Sequence, residues 1–293
     1  MTTIAVVGIG QWGKNLIRCF DECTTIKYCC HTGSSQNADW MSERFPKITL
    51  TESYERILRD ETVDAVVVAT PIPTHATLVR RALQANKHVF VEKPLTNSAA
   101  EARSLVELAA NRSLLLFTGY VFLYAPAMQR LFEELQTDPP THIRATWQKF
   151  GSFTAPIEYS LACHDIAIGA FLYSGTFTEA TVIERVGIIS NADILGVKYE
   201  TESNDQLTAS YDRTAQSKQK SVIVVTESGK RYEFVNNRLY ELHQETYRDL
   251  TPESAREPLT AECHAFVKWI EGGPIPPTGG AFGAEVNDVL ELL

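Results

Sequence analysis

An excess of positive charge is what the sequence most plainly lacks: 27 Lys and Arg stand against 36 Asp and Glu, a net charge of −9. That balance argues against a nucleic-acid partner or an anionic membrane surface, both of which need a basic patch. A small anionic ligand stays open, because local dipoles and a few cations can hold one. No apolar run reaches the length of a membrane span. No signal-peptide pattern is visible either, since Met1-Thr2-Thr3 runs straight into a strand, and the expected location is the cytoplasm. Cysteine is sparse, and Cys19, Cys23, Cys29, Cys30, Cys163 and Cys263 show no zinc-ligand spacing. Cys29-Cys30-His31 lies in a strand, where adjacent side chains point to opposite faces. The expectation is six reduced, mostly buried thiols and no metal. Repeats and low-complexity linkers are also missing. What remains is 293 residues, 44% hydrophobic and 22% charged, enough for two ordinary soluble cores.

The most informative stretch is Ile4-Ala5-Val6-Val7-Gly8-Ile9-Gly10-Gln11-Trp12-Gly13-Lys14-Asn15-Leu16. An apolar, β-branched run enters a glycine turn, and the amphipathic pattern Leu16, Ile17, Cys19, Phe20 leaves it. This is GxGxxG between a strand and a helix, the context a dinucleotide site requires. Gly8 allows the turn, Gly10 lets the backbone approach a pyrophosphate, and Gly13 lets helix pack on strand. Gln11 and Trp12, between the glycines, are cofactor-binding candidates with them. The free N–H groups of the helix start would face the phosphates.

Alternation of strands and helices continues to Gly119. Strands are expected at 26–30, 63–69, 87–91 and 114–119, with helices near 37–45, 52–59, 76–85 and 98–111. Such alternation predicts a parallel, doubly wound sheet. Ligands bind such sheets at the carboxyl edge. Three loops lie at that edge. The first, His31-Thr32-Gly33-Ser34, follows the second strand, where an acid usually binds the adenosine ribose; no acid occurs there before Asp39. Thr32 and Ser34 are the candidates, and the cofactor expected is NAD or NADP, leaning to NADP, although no Arg or Lys lies between Tyr28 and Glu43. The second loop offers Thr70, Pro71 and His75. The third delivers Glu92-Lys93-Pro94.

After Gly119 the pattern changes. Helices are expected at 126–135, 160–173 and 261–271. Strands are expected at 141–149, 180–189, 206–211, 221–226 and 231–234, joined by turns such as Glu227-Ser228-Gly229-Lys230. Successive strands with short turns predict a mainly antiparallel sheet. The expected architecture is an N-terminal Rossmann domain over 1–119 and a C-terminal α+β domain with a large open sheet over 120–293.

Taken together, Gly8 to Gly13, Ala69-Thr70-Pro71 through His75, Glu92-Lys93-Pro94, His164-Asp165 and the closing helix with its Gly-rich tail resemble the Gfo/Idh/MocA oxidoreductases over nearly the whole chain. Gln11 to Leu16 and Phe122-Leu123-Tyr124 are similar to the branch acting at the 3-position of nucleotide sugars. The resemblance implies NAD(P) in the first domain and a sugar, nucleotide sugar or cyclitol over the second. It also implies a homodimer or homotetramer through the C-terminal sheet. Lys93 would be proton relay and orienter, His164 the second acid/base candidate, and Glu92 part of the cofactor pocket. A lysine acting as base needs its pKa lowered from about 10.4, and a neighbouring oxidised nicotinamide supplies a cation.

The sequence departs from the family pattern twice. Ser160 stands where the family has Asp, four residues before the histidine, and Tyr120 stands where the branch tends to have His. Both would touch substrate with Lys93 and His164. The two changes leave a second reading open: a catalytically weakened dinucleotide-binding relative with a sensing or partner role. A third is a reductase of an imine or another non-sugar carbonyl, since fold does not fix substrate.

Overall fold

The computed structural model describes residues 2–151, 153, 155–253 and 256–293. The chain divides into two compact units, residues 1–120 with 259–287, and residues 121–258 with 288–293.

The first unit holds β1 (Thr3–Val7), α1 (Gln11–Asp21), β2 (Thr25–Cys30), α2 (Ser35–Arg44), β3 (Thr49–Thr51), α3 (Tyr54–Arg59), β4 (Ala65–Val68), α4 (His75–Gln84), β5 (His88–Glu92), α5 (Ala99–Asn111) and β6 (Leu116–Gly119). These strands form a parallel six-stranded sheet in the order β3-β2-β1-β4-β5-β6. All four residues of β4 are buried, as a strand covered on both faces requires. The order reverses beside β1, so a crevice opens at the carboxyl ends of β1 and β4, the usual ligand position in this architecture. Local signals set the helix starts. Ser98 Oγ accepts the Glu101 N–H at the head of α5, an S-x-x-E cap.

The chain then forms α6 (Pro126–Leu135), β7 (Pro140–Gln148), α7 (Cys163–Tyr173), β8 (Glu179–Val186), β9 (Ile194–Glu200), β10 (Gln206–Asp212), β11 (Gln219–Thr226), β12 (Arg231–Val235), β13 (Arg238–His243) and β14 (Thr246–Asp249). These strands make an eight-stranded sheet, β14-β13-β12-β11-β7-β10-β9-β8. Every pairing is antiparallel except β7 with β10, so the sheet is mixed. Helix α7 is buried from Cys163 to Ala170 and apolar there apart from His164 and Asp165, as expected of a helix enclosed in a core. The chain closes with α8 (Pro258–Ile270) and α9 (Gly280–Leu290).

Several elements differ from the sequence expectation. A single cut after residue 119 would place α8 with the second sheet. Instead Phe266 packs edge-on against Phe20, Phe90 and Phe117, with centroids 5.5 to 6.2 Å apart, and α8 counts with the first unit. Strand β8 stops at Val186 rather than running to Ile189. Asp193 Oδ2 takes the N–H groups of Ile188 (2.6 Å) and Ser190 (2.9 Å), and that of Ile189, curling the chain into a turn. Strands β3, β9, β13 and β14 and helix α9 are additions. Asn236 and Asn237, both at positive φ, turn β12 into β13, the hairpin chemistry that left-handed asparagines provide. None of the six cysteines forms a disulfide, and all but Cys23 are buried. No helix among the described residues is long and apolar enough to cross a membrane.

Candidate functional site

The glycine turn of the first unit shows why each glycine is there. Gly8 has φ +103°, and a Cβ on it would lie 2.5 Å from the Ala69 carbonyl oxygen. A Cβ on Gly13 would lie 2.0 Å from the Gly8 oxygen. Both positions are closed by the fold itself. Gly10 is different: a Cβ there would meet nothing within 4 Å. Gly10 is also the N-cap of α1, with no side-chain cap and no acid in the first turn. The helix start is therefore open, uncapped and free of repelling charge, which fits the pyrophosphate of a dinucleotide. Gln11 and Trp12 are exposed beside it.

Around this turn, Thr32 and Ser34 are exposed at the β2 tip. Ser34 occupies the N-cap of α2 without using its side chain as a cap. Thr70 Oγ1 bonds Thr74 Oγ1 at 2.7 Å, and Thr74 Oγ1 donates to the Pro71 carbonyl. His75, a cofactor-binding candidate, is held between the loops. It is buried, with Nε2 2.8 Å from the Thr70 oxygen and Nδ1 3.0 Å from the Pro94 oxygen. It ties the second and third loops together. Burial pushes its pKa down.

The third loop carries a residue relationship that sequence reading did not reach. Glu92 ends β5 and is buried, and the Trp12 indole donates to its Oε1 at 2.5 Å. Burial raises the Glu92 pKa to about 7, against the Trp12 hydrogen bond and the charge of Lys93, which pull it down. Glu262 of α8 lies behind it, fully buried. The Tyr120 N–H faces Glu262 without closing a normal hydrogen bond to either carboxyl oxygen. Burial first, then the Glu92 charge, push Glu262 well above the ordinary carboxyl range. Lys93 follows, half-buried, at the carboxyl edge of β5, and its bond to Pro94 is cis. Tyr120, expected to meet substrate, is buried at the end of β6 with its ring edge-on to Phe282, 5.8 Å between centroids.

In the second unit, Ser160 and His164 share one helical segment. Ser160 lies in a single π turn, Glu158–Ala162, that leads into α7. Its Oγ donates to the Ile157 carbonyl at 3.4 Å. Wide turns of this kind are frequent at functional sites. His164 is buried against aromatic rings, 4.8 Å from the Trp147 centroid and 5.2 Å from Phe122. Behind it, Lys220 Nζ bonds Asp165 Oδ1 at 2.5 Å, both side chains buried. The same ammonium lies 4.0 Å from the Trp147 ring and 4.7 Å from Phe122. The Asp165 pKa is raised by burial, with Lys220 opposing the rise. The sequence reading missed Lys220 and Trp147. A signal existed: Lys220 has the parity of the buried Val222 and Val224 on β11.

Comparison with known proteins bears on these sets of residues. The family model described as "Oxidoreductase family, NAD-binding Rossmann fold" matches residues 2–120. Residues 2–120 belong to the Gfo/Idh/MocA oxidoreductase family. This Gfo/Idh/MocA segment contains the glycine turn and all three loops. The chain is 34% identical over 149 residues to dTDP-3,4-didehydro-2,6-dideoxy-alpha-D-glucose 3-reductase of Actinomadura kijaniata. That match covers 49% of this chain and 42% of the relative, so the chain spans less than half of that protein's length. Solved structures extend the likeness in fold over the whole chain. UDP-N-acetylglucosamine 3-dehydrogenase GnnA from Acidithiobacillus ferrooxidans is 20% identical, with a TM-score of 0.91 over 99% of this chain and 96% of that one. A mutant of KijD10, a 3-ketoreductase from Actinomadura kijaniata in complex with TDP-benzene and NADP, is 19% identical, with a TM-score of 0.85 over 100% and 96%.

Proposed function

We propose that the chain is an NAD(P)-dependent oxidoreductase that moves hydride between the nicotinamide and a sugar carbon, with a nucleotide-linked sugar as the favoured substrate class. The observation that carries this reading is Lys93. It stands at the carboxyl edge of the parallel sheet, on the loop that His75 ties to the β4 loop, in the same unit as an open, uncapped glycine turn. The names of the relatives, a 3-reductase and a 3-dehydrogenase of nucleotide sugars, favour the 3-position.

The turn shaped by Gly8 and Gly13 would hold the pyrophosphate at Gly10, with Gln11, Trp12, Thr32, Ser34, Thr70 and Pro71 around the rest of the dinucleotide. When bound, the cofactor supplies a two-electron hydride acceptor or donor. In the oxidative direction a C–H bond and an O–H bond of one carbinol break together with formation of the carbonyl. Lys93 Nζ takes the hydroxyl proton, and in the reductive direction it returns one. Such proton transfer contributes about a hundredfold or more. His164 and Ser160 are the groups of the second unit that would engage the sugar. Serine cannot replace a carboxylate as base at neutral pH, but it can hydrogen-bond a hydroxyl.

The exposed apolar side chains Val182, Ile183 and Val186 on edge strand β8, with Ile188 and Ile189 just beyond, support self-association through the second sheet. We place the protein in a reducing compartment, in keeping with six cysteines outside disulfides. Ser160 also favours the second reading, a dinucleotide-binding relative with weakened turnover. Both readings are tested by mixing purified protein with either dinucleotide and a panel of nucleotide sugars, free sugars and cyclitols. The oxidoreductase reading expects reduced nicotinamide to form or disappear with one of them. Tight dinucleotide binding with no turnover on any member would leave the binding-protein reading.

A further inference from the structure

The β2 tip has no acid of its own, and this left the choice between NAD and NADP open. The fold brings one to it from elsewhere. Strand β3 pairs with β2 on the side away from β1, in the register Cys30 with Thr51. The His31 N–H continues that ladder onto the Thr51 oxygen at 3.1 Å. The next residue, Glu52, is thereby set beside the tip. At Gly33, with φ +89°, a Cβ would lie 3.5 Å from Glu52 Oε1 and 4.0 Å from Cδ. The same side chain also acts on the end of β2. After burial, the Glu52 carboxylate is the further cause raising the pKa of the Cys30 thiol at the end of β2.

We infer that Glu52 is the specificity-determining carboxylate of the dinucleotide site, favouring a free 2′-hydroxyl and disfavouring a 2′-phosphate. The inference rests on the dinucleotide reading above. In this fold the adenosine ribose lies over the β2 tip, where an acid accepts its hydroxyls and an Arg favours the phosphate of NADP. Glu52 is exposed, so its carboxylate is reachable. Among the described residues no lysine, arginine or histidine is ion-paired with it. Cations nearby in sequence face aromatic rings: the Arg56 guanidinium lies over Tyr28 at 5.2 Å, and Lys14 Nζ and the Arg44 guanidinium lie over Trp40 at 4.9 and 5.8 Å. A carboxylate and a phosphate dianion a few ångströms apart repel even in high dielectric, enough for a preference of about tenfold. The sequence lean toward NADP is thus reversed by a residue outside the tip.

The test is direct titration of the purified full chain with NADH and NADPH, followed by nicotinamide fluorescence and calorimetry, for wild type, Glu52→Gln and Glu52→Lys. The wild type should bind NADH about tenfold or more tightly than NADPH. Glu52→Gln should bring the two dissociation constants together, chiefly by tightening NADPH. Glu52→Lys should reverse the order. Equal affinities in the wild type, or a ratio unchanged in both variants, would overturn the assignment of Glu52 while leaving the dinucleotide site intact. Failure of the wild type to bind either dinucleotide would overturn the dinucleotide reading itself, and this inference with it.

Discussion

The Trp12 indole and the Glu92 carboxyl are joined by a hydrogen bond of 2.5 Å between Nε1 and Oε1. The bond ties the glycine turn to the residue immediately before Lys93. The two motifs that best mark the first unit are therefore one object, in which a partly exposed indole anchors on a buried acid.

Trp12→Phe keeps an aromatic ring and removes the donor. The buried acceptor then loses a partner, at a cost of about 1–3 kcal/mol when ionised. Denaturant unfolding at pH 8 should show that loss. NADH affinity should fall severalfold, because the turn loses its tether. Unchanged stability and unchanged affinity would separate the indole from the site.

A second prediction concerns pH. Glu92 is raised from 4.5 to about 7, and Glu262 is raised well above 4.5. A raised carboxyl pKa means that the folded state binds more protons than the unfolded chain. The stability it contributes is complete below about pH 4.5 and is lost as pH rises through the raised pKa, about 7 for Glu92. Glu262→Gln copies the protonated form and cannot ionise. It should be nearly neutral at pH 5 and stabilising by at least about 1 kcal/mol at pH 8.5. Unfolding curves for both proteins across that range check the sign.

The glycines separate fold from function. Gly10→Val places its side chain in open space and at an ordinary backbone angle. It should fold like the wild type and lose dinucleotide binding. Gly13→Val must displace the Gly8 carbonyl, 2.0 Å from the new Cβ. It should destabilise the protein by about 3 kcal/mol or more. Thermal melts beside NADH titrations distinguish the two effects.

In the second unit, Lys220→Met leaves Asp165 as a lone buried carboxylate. Removing one partner of such a pair costs about 3–5 kcal/mol. The double variant Lys220→Met, Asp165→Asn should recover part of that loss. A double-mutant cycle by chemical denaturation measures the coupling, and a value near zero would show that the pair does not hold α7.

Much of the first unit was legible because its signals are local. Ile4 to Val7 reads as a strand, the glycines as a turn, and Glu92-Lys93-Pro94 as the end of another strand. What could not be read was brought together by strand order and by the closing helix. Glu52 reaches the β2 tip through β3, a strand of three residues with no periodicity to detect. Glu262 reaches Glu92 because Phe266 anchors α8 on the aromatic cluster of the first unit. The two carbonyl oxygens beside the His75 ring nitrogens, those of Thr70 and Pro94, come from separate loops that no sequence spacing links. In the second sheet, β14 is exposed at all four positions, and a strand without a buried face leaves no alternation in the sequence.

The most direct test of the account follows the nicotinamide. Purified wild type and Lys93→Met are each mixed with NAD and a uridine- or thymidine-linked hexose, and reduced-nicotinamide absorbance is recorded alongside the oxidised sugar by mass spectrometry. The account predicts one reduced nicotinamide per keto-sugar in the wild type. Lys93→Met should lower the rate by about a hundredfold or more while its NADH dissociation constant stays within a few-fold of the wild type. Full turnover in Lys93→Met would contradict the role given to Lys93, and binding of dinucleotide without turnover of any nucleotide sugar, free sugar or cyclitol would contradict the oxidoreductase reading.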